Sequence, residues 1–371
     1  MQYTQQDLVR IAKREHNTKR NYLVVDPLQG KHVPVSPVRA LRLFTDLAEQ
    51  IKDAYPGEKL LLVGFAETAT AIGAQAAITL GVPYIQTTRE RISGVDYLFL
   101  SESHSHATEQ KLVKDDMDRI VPEVDRIVFV EDEVTTGNTI LHIIDLLQET
   151  YKKPLRFAVL SLLNGMTKAY ADIYEKRQID RYYLVKTDHS SYGQIAEQFA
   201  GDGVYHEVSP AAGQAAVTEI PVFEVGGLIN TRRLTNAGAY KAACETLAET
   251  VISRIKPQAG QRILVLGTEE FMYPALYTGS RIEALDCKVN CHATTRSPIA
   301  VSCEADYPLH TRYALRSLYD TERRTFLYDL FAYDQVVILT DAPLQERDGL
   351  QDLLAALKQA GNETITVVRW C

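Results

Sequence analysis

The sequence is poor in cysteine, has no excess of basic residues and contains no long apolar run. No stretch approaches the roughly 20 apolar residues that span a bilayer, and no signal peptide is expected. A net charge of −8 argues against a general nucleic-acid binder. An odd, small number of cysteines favours reduced thiols in a cytoplasmic protein over a disulfide framework. The five cysteines are Cys244, Cys287, Cys291, Cys303 and Cys371.

Two familiar ligand-binding motifs are also missing. The segment after the apolar run Leu60–Phe65 lacks the lysine of a Walker loop, so a P-loop nucleotidase is not expected. Cys287, Cys291, His292 and Cys303 match no familiar zinc module, and buried thiols are the favoured interpretation.

The 371 residues, 46% apolar and 24% charged, indicate an ordinary globular protein with two domains. Apolar strand-like runs alternate with helical patterns, which predicts an α/β fold with parallel sheets. Residues 190–222 are rich in Gly, Ala, Ser and Pro and read as a loop and linker. We therefore predict domains at 1–222 and 223–371, each with its own α/β sheet.

The most informative segment runs from Ile127 to Thr139. Four apolar residues predict a buried parallel strand that ends in acids, and a turn rich in threonine and glycine leads into a helix. Ligands of open α/β sheets sit beyond the carboxyl ends of strands, where helix amides and hydroxyls can surround a phosphate. Carboxylates suit sugar hydroxyls and Mg²⁺. Together these groups predict a site for a ribose 5-phosphate.

This segment resembles the phosphoribosyl-pyrophosphate loop of type I phosphoribosyltransferases. Glu131 and Asp132 match the acid pair, although aspartate is usual at the first position and an apolar residue is usual at Glu133. An ordinary strand–turn–helix corner is the alternative. The resemblance implies that the 5-phosphate binds the loop residues Thr135, Thr136, Gly137, Asn138 and Thr139.

In such an enzyme the loop after the first core strand binds pyrophosphate, and we assign that role to Glu67, Thr68 and Ala69. Residues 101–108 correspond to a flap over the reaction centre, and His104 and His106 are predicted to act on the leaving pyrophosphate. Exposed loop histidines and a metal-binding His-x-His pair are the alternatives.

Four basic residues are candidate anion ligands. Arg89 and Arg91 can neutralise pyrophosphate, and Lys31 can face an anionic ligand, with a solvated turn at Lys31–His32 as the alternative. The fourth, Arg296, can fork onto two oxygens or can simply hold its own loop in place.

Arg296 lies in the tetrapeptide Thr295-Arg296-Ser297-Pro298, which resembles the TRSP domain found behind a phosphoribosyltransferase domain in bacterial clusters linked to tellurite resistance and stress. Three C-terminal strands also end in polar loops, which predicts a second cleft. These loops are Gly267–Glu270, Thr294–Pro298 and Thr340–Asp341.

The resemblance implies a transferase that joins phosphoribosyl pyrophosphate to a nucleobase-like acceptor, with Mg²⁺ held by the substrate pyrophosphate and Asp132. Glu131, Asp132, His104 and His106 are the catalytic candidates. A homodimer is also expected. Two alternatives stay open, a non-catalytic phosphoribosyl-pyrophosphate sensor and a nucleotide phosphoribohydrolase or phosphorylase.

Overall fold

The computed structural model describes residues 2–15, 20–100, 110–208, 220, 222–344 and 347–371. Two compact units are interleaved along the chain. The first contains residues 1–3, 41–188 and 229–243, and the second contains residues 4–40, 189–228 and 244–371. The single domain boundary after residue 222 stays a prediction.

Strands and helices alternate through most of the chain. The strands are β1 (Arg10–Lys13), β2 (Tyr22–Val25), β3 (Leu60–Gly64), β4 (Tyr84–Gln86), β5 (Tyr97–Phe99), β6 (Lys111–Val113), β7 (Arg126–Val134), β8 (Arg156–Asn164), β9 (Asp180–Lys186), β10 (Val204–Glu207), β11 (Val222–Val225), β12 (Arg262–Thr268), β13 (Lys288–Thr294), β14 (Thr311–Arg316), β15 (Arg324–Tyr328), β16 (Gln335–Thr340) and β17 (Ile365–Trp370). The α-helices are α1 (Gln5–Leu8), α2 (Pro37–Ala48), α3 (Thr70–Leu80), α4 (Lys114–Ile120), α5 (Asn138–Thr150), α6 (Lys168–Lys176), α7 (Tyr192–Glu197), α8 (Ala237–Ile255), α9 (Tyr273–Glu283) and α10 (Asp348–Gln359).

The first unit contains a five-stranded sheet in the order β4-β3-β7-β8-β9, and all its neighbouring strands are parallel. Every residue of β3 and the first five of β7 are buried, as expected for strands covered on both faces. Because the strands are parallel, all their carboxyl ends lie at one edge of the sheet. Strands β5 and β6 form a separate antiparallel pair.

The second unit contains a parallel sheet in the order β11-β17-β16-β12-β13 and a mixed sheet in the order β10-β14-β15. Leucine-rich α10 packs with strands β12 and β16 in its main core, and β14 and β15 contribute to a second apolar cluster with Ile299 and Tyr307. The prediction of an α/β fold with a second α/β sheet is confirmed.

Four details differ from the sequence-based expectations. Residues 190–222 are not all loop, since α7 and β10 form there. Strands β14 and β15, whose burial does not alternate along the chain, were not anticipated. The helix expected at Thr268 begins at Tyr273 after a tight turn. The expected buried thiol of Cys303 is exposed, whereas Cys287 and Cys291 are buried. In the described parts of the chain, no helix has the length and apolarity needed to cross a membrane.

Candidate active site

The acid pair lies at the carboxyl end of β7, the central strand of the first sheet. The sequence predicted a strand that ends in the acids, and the observed strand runs one residue beyond them. It continues through them to Val134, because Glu131 and Glu133 still pair with Ser161 and Leu163 of β8. Ladder pairing fixes the backbone under the carboxylates, which places both acids on a rigid element.

Burial makes these carboxylates hard to ionise. For Asp132, burial and then the negative charge of Glu133 raise the pKa to about 6, against an opposing hydrogen bond from Thr68. Burial and then the charge of Asp132 raise the pKa of Glu131 well above its usual range. Clustered acids with raised pKa values are typical of functional sites, because a core has no need of them.

The threonine-rich turn after β7 is organised around Gly137, whose φ of +69° lies in the left-handed region. This residue precedes α5, and the Thr136 hydroxyl accepts a hydrogen bond from the Asn138 amide at 3.3 Å. Thr135 and Thr136 are partly buried, while Asn138 and Thr139 are exposed. The turn thus presents hydroxyls and the first amides of a 13-residue helix at the sheet edge.

Tyr174 of α6 contacts this turn and supports it. Its hydroxyl donates to the carbonyl of Gly137 at 2.7 Å. A Cβ atom at position 137 would overlap the Tyr174 hydroxyl and would lie 2.8 Å from the Met166 methyl group. Glycine is therefore required here for its conformation and also for its lack of a side chain.

The loop after β3 lies beside the acids. Gly64 pairs with Val130, and the Phe65 amide donates to the Val130 carbonyl at 3.0 Å. The Thr68 side chain then hydrogen-bonds to Asp132. The structure thus brings the predicted pyrophosphate loop, Glu67, Thr68 and Ala69, to the same edge as the acid pair. The peptide bond between Ala66 and Glu67 is cis.

Thr87 and Gln110 form hydrogen bonds with the backbone of this loop at Ala66. The Thr87 hydroxyl accepts from the Ala66 amide at 2.8 Å and donates to Gln110 Oε1 at 3.1 Å. Gln110 Nε2 donates to the Ala66 carbonyl at 2.7 Å. These two residues and Tyr174 were not predicted, because nothing in their local sequence signals a contact with a distant loop.

The predicted flap follows β5, and His104 and His106 lie outside the described residues. Strands β5 and β6 form its base, since the Leu100 amide donates to the Gln110 carbonyl at 2.9 Å. Arg89 is partly buried beside this base, and its carbonyl lies 3.5 Å from Lys111 Nζ. Arg91 is exposed. Their role as anion ligands stays a prediction.

The other two candidate anion ligands belong to the second unit. Lys31 is fully buried, and its ammonium donates to the carbonyls of Glu269 and Thr294 at 2.8 and 3.1 Å. The solvated-turn alternative for Lys31 and His32 is therefore wrong, because both are buried. Arg296 Nε donates to the Glu269 carboxylate at 2.7 Å.

Three similar solved structures are each 15% identical to the chain. The adenine phosphoribosyltransferase of Rhodothermus marinus has a TM-score of 0.36 and covers 49% of this chain and 96% of its own. The enzyme of Giardia lamblia with 9-deazaadenine has a TM-score of 0.35, with 50% and 96% covered. The orotate phosphoribosyltransferase of Aeropyrum pernix has a TM-score of 0.32, with 49% and 89% covered.

No curated protein matches the chain. Two family models do match it. The model described as phosphoribosyl transferase matches residues 8–191, and the model described as the TRSP domain C-terminal to that family matches residues 230–357. The chain belongs to the phosphoribosyl transferase family and carries a TRSP domain behind its transferase domain.

Proposed function

We propose that this protein transfers the 5-phosphoribosyl group of Mg²⁺–phosphoribosyl pyrophosphate to a nitrogen of a nucleobase-like acceptor and releases pyrophosphate. The product is a nucleoside-like monophosphate. The main support is the pairing of β3 with β7, in which Gly64 lies opposite Val130. It brings the loop after β3, proposed here for the leaving group, next to the acids proposed for the ribose.

In this proposal the substrate spans three adjoining segments of the first unit. The 5-phosphate contacts Thr135–Thr139 at the start of α5, and the ribose hydroxyls donate to Glu131 and Asp132. The pyrophosphate lies along Glu67–Ala69. Catalysis is then mainly positioning, because the sugar is held at both ends while its C1 centre reacts.

The donor set of this edge fits Mg²⁺. Magnesium prefers carboxylate oxygens and is commonly held by one or two carboxylates together with substrate phosphates. Asp132 supplies such oxygens, and among the described residues no group of three or more His, Cys, Asp or Glu side chains is arranged to hold a metal by itself. When bound, Mg²⁺ would neutralise charge on the departing pyrophosphate.

The reaction breaks the C1–O bond, and the electron pair leaves with pyrophosphate. The acceptor nitrogen forms the new bond to C1, and its proton passes to the departing pyrophosphate. Positive charge develops on the ribose during this exchange, and ionised Asp132 beside the ring hydroxyls stabilises it. The predicted flap histidines, His104 and His106, would act on the leaving pyrophosphate.

The test is a screen of nucleobases and small heterocycles with labelled phosphoribosyl pyrophosphate and Mg²⁺, read as acceptor-dependent pyrophosphate release. Asp132→Asn should lower kcat/KM by about a hundredfold or more. Asp145→Asn is the matched control, because Asp145 is an exposed acid of α5 that pairs with Arg177. Its activity should equal that of the parent.

Other outcomes identify the alternatives. Pyrophosphate release that needs no acceptor would indicate a hydrolase, and binding without any release would indicate a sensor. If Asp132→Asn turned over as fast as the parent, the assignment of the acid pair would be wrong.

A further inference from the structure

The parallel sheet of the second unit reverses its winding between two central strands. From β12 the chain passes through α9 to β13 on one side, and then crosses to β16 on the opposite side of β12. Such a reversal opens a crevice at the carboxyl ends of the two strands, and open α/β sheets bind ligands there.

Polar side chains meet at that crevice. Thr268 ends β12 and Thr340 ends β16, and their hydroxyl oxygens lie 2.9 Å apart. The Tyr319 hydroxyl lies 2.8 Å from Thr268 Oγ1 and donates to Asp341 at 2.6 Å. Hydroxyl and carboxylate groups thus line the reversal point, where a purely structural sheet would carry apolar side chains.

Next to these hydroxyls, two arginines share one buried carboxylate. Arg296 Nε donates to Glu269 Oε2 at 2.7 Å, and Arg323 Nε lies 3.4 Å from the same oxygen. The Ser317 hydroxyl also donates to Glu269. Glu269 engages the Nε side of both guanidinium groups. Arg296 Nη2 lies 3.5 Å from Glu270, and Arg323 Nη2 donates to the Ser317 hydroxyl at 3.2 Å, so the orientation of both planar groups is fixed.

The backbone around this cluster is also specialised. Glu269 has a φ of +49°, which is unusual for a residue with a side chain. Lys31 connects the loop after β12 to the end of β13, because its ammonium donates to the carbonyls of both Glu269 and Thr294. A left-handed residue and a buried lysine both cost stability, and such costs concentrate at functional sites.

We propose that this cluster is a second ligand site, which binds a phosphate monoester that carries hydroxyl groups. Arg296 and Arg323 would contact the phosphate oxygens, and Asp341, Tyr319 and Thr340 would contact the hydroxyls. Glu269 and Lys31 are positioning residues. The site lies wholly in the second unit. Only the other equivalent expected in the titration below rests on the function proposed for the first unit.

Titration calorimetry of the full chain with ribose 5-phosphate tests this site. A nucleoside 5′-monophosphate and inorganic phosphate serve as parallel probes, which separate recognition of a nucleotide, a sugar phosphate and a simple anion. The parent should bind two equivalents of ribose 5-phosphate. Gly137→Ala, which disrupts the turn of the first unit, should keep one of them.

Arg296→Gln should weaken the binding of ribose 5-phosphate at the site of the second unit about tenfold or more. Arg324→Gln is the matched control, because Arg324 is an exposed arginine that pairs with Glu207. It should leave both equivalents unchanged. Asp341→Asn provides a milder change if Arg296→Gln does not fold, and near-ultraviolet circular dichroism checks each variant.

Retention of both equivalents in folded Arg296→Gln and Asp341→Asn would overturn the proposal. So would a single equivalent in the parent that disappears in Gly137→Ala, since the cluster would then be a structural ion-pair network. A single equivalent that Gly137→Ala retains would support this site and count against binding of ribose 5-phosphate in the first unit, so the failures of the two proposals are distinguishable.

Discussion

The hydroxyl of Tyr174 donates to the carbonyl of Gly137 across 2.7 Å, and this contact supports the turn between β7 and α5. Gly137 has a left-handed conformation, and its carbonyl accepts this hydrogen bond from a side chain of α6. The turn is therefore held by side chains of a neighbouring helix as well as by its own sequence. Phosphate binding at this turn should depend on that support.

Gly137→Ala should impair both the turn and its ligand. A methyl group would meet the Tyr174 hydroxyl and Met166, and φ would be strained. We expect KM for phosphoribosyl pyrophosphate to rise about tenfold or more. Gly81→Ala is the control, because Gly81 also has a positive φ, of +68°, but its Cβ would meet nothing within 4 Å. If the two changes raised KM equally, the overlap of the new methyl group with Tyr174 and Met166 would not be the cause of the rise.

Tyr174→Phe removes only the hydroxyl. The partly buried carbonyl of Gly137 would lose one of two donors, because it also accepts from the Leu141 amide at 3.0 Å. The free energy of unfolding should fall by about 1 kcal/mol or less. KM for phosphoribosyl pyrophosphate should rise more than kcat falls, because the change loosens the phosphate turn. Tyr183→Phe, at an exposed tyrosine of β9, is the control for denaturant melts and kinetics. An unchanged KM in Tyr174→Phe would show that the turn holds its shape without this bond.

The sequence was most informative where one segment carries both strand and ligand chemistry. Residues 127–139 predicted the strand, the acids and the turn together, because their pattern is local. The supports from Thr87, Gln110 and Tyr174 could not be predicted, since each depends on contacts across 21 to 44 residues of chain. Burial of Lys31 was missed for the same reason. Its partners, Glu269 and Thr294, are more than 200 residues away.

The acid pair should reduce stability at neutral pH. In the folded state the pKa of Asp132 is raised to about 6. The protonated carboxyl therefore contributes its full stability below the unfolded value of about 4, and this contribution is lost as pH rises through 6. Asp132→Asn cannot ionise. Its melting temperature should therefore exceed that of the parent by about 2–4 °C at pH 8 and by less at pH 4.5. Asp145→Asn should show no such widening, and a gap that narrows toward pH 8 would contradict the raised pKa.

Asp116 anchors residues 229–243 to the rest of the first unit. Its buried carboxylate accepts from Arg233 Nε at 2.6 Å and from the Leu234 amide at 2.9 Å. Burial alone would raise its pKa, but these hydrogen bonds lower it overall. Asp116→Asn should cost about 2 kcal/mol of unfolding free energy at pH 7.5.

The sign of that pH dependence is opposite to the one for Asp132. A lowered folded pKa gives stability above the unfolded value of about 4, and this stability is lost as pH falls through the folded pKa. The difference between parent and Asp116→Asn should thus shrink at pH 3.5 in urea melts. Glu123→Gln is the control, since its exposed pair with Lys59 spans 4.0 Å and should contribute less than about 1 kcal/mol. A difference that grows in acid would refute the anchor.

Thr87→Val tests whether the loop after β3 must be held in place for catalysis. Valine keeps the shape of threonine but cannot accept from the Ala66 amide or donate to Gln110, so a buried N–H loses its partner. The free energy of unfolding should fall by about 1–3 kcal/mol. Because Ala66 immediately precedes Glu67, kcat for pyrophosphate release should fall with it. Thr150→Val is the matched control, as its exposed hydroxyl bonds only its own helix, to the Leu146 carbonyl at 2.8 Å. If Thr87→Val loses stability but keeps full kcat and KM, the loop after β3 finds its conformation without Thr87, and the hydroxyl serves folding alone.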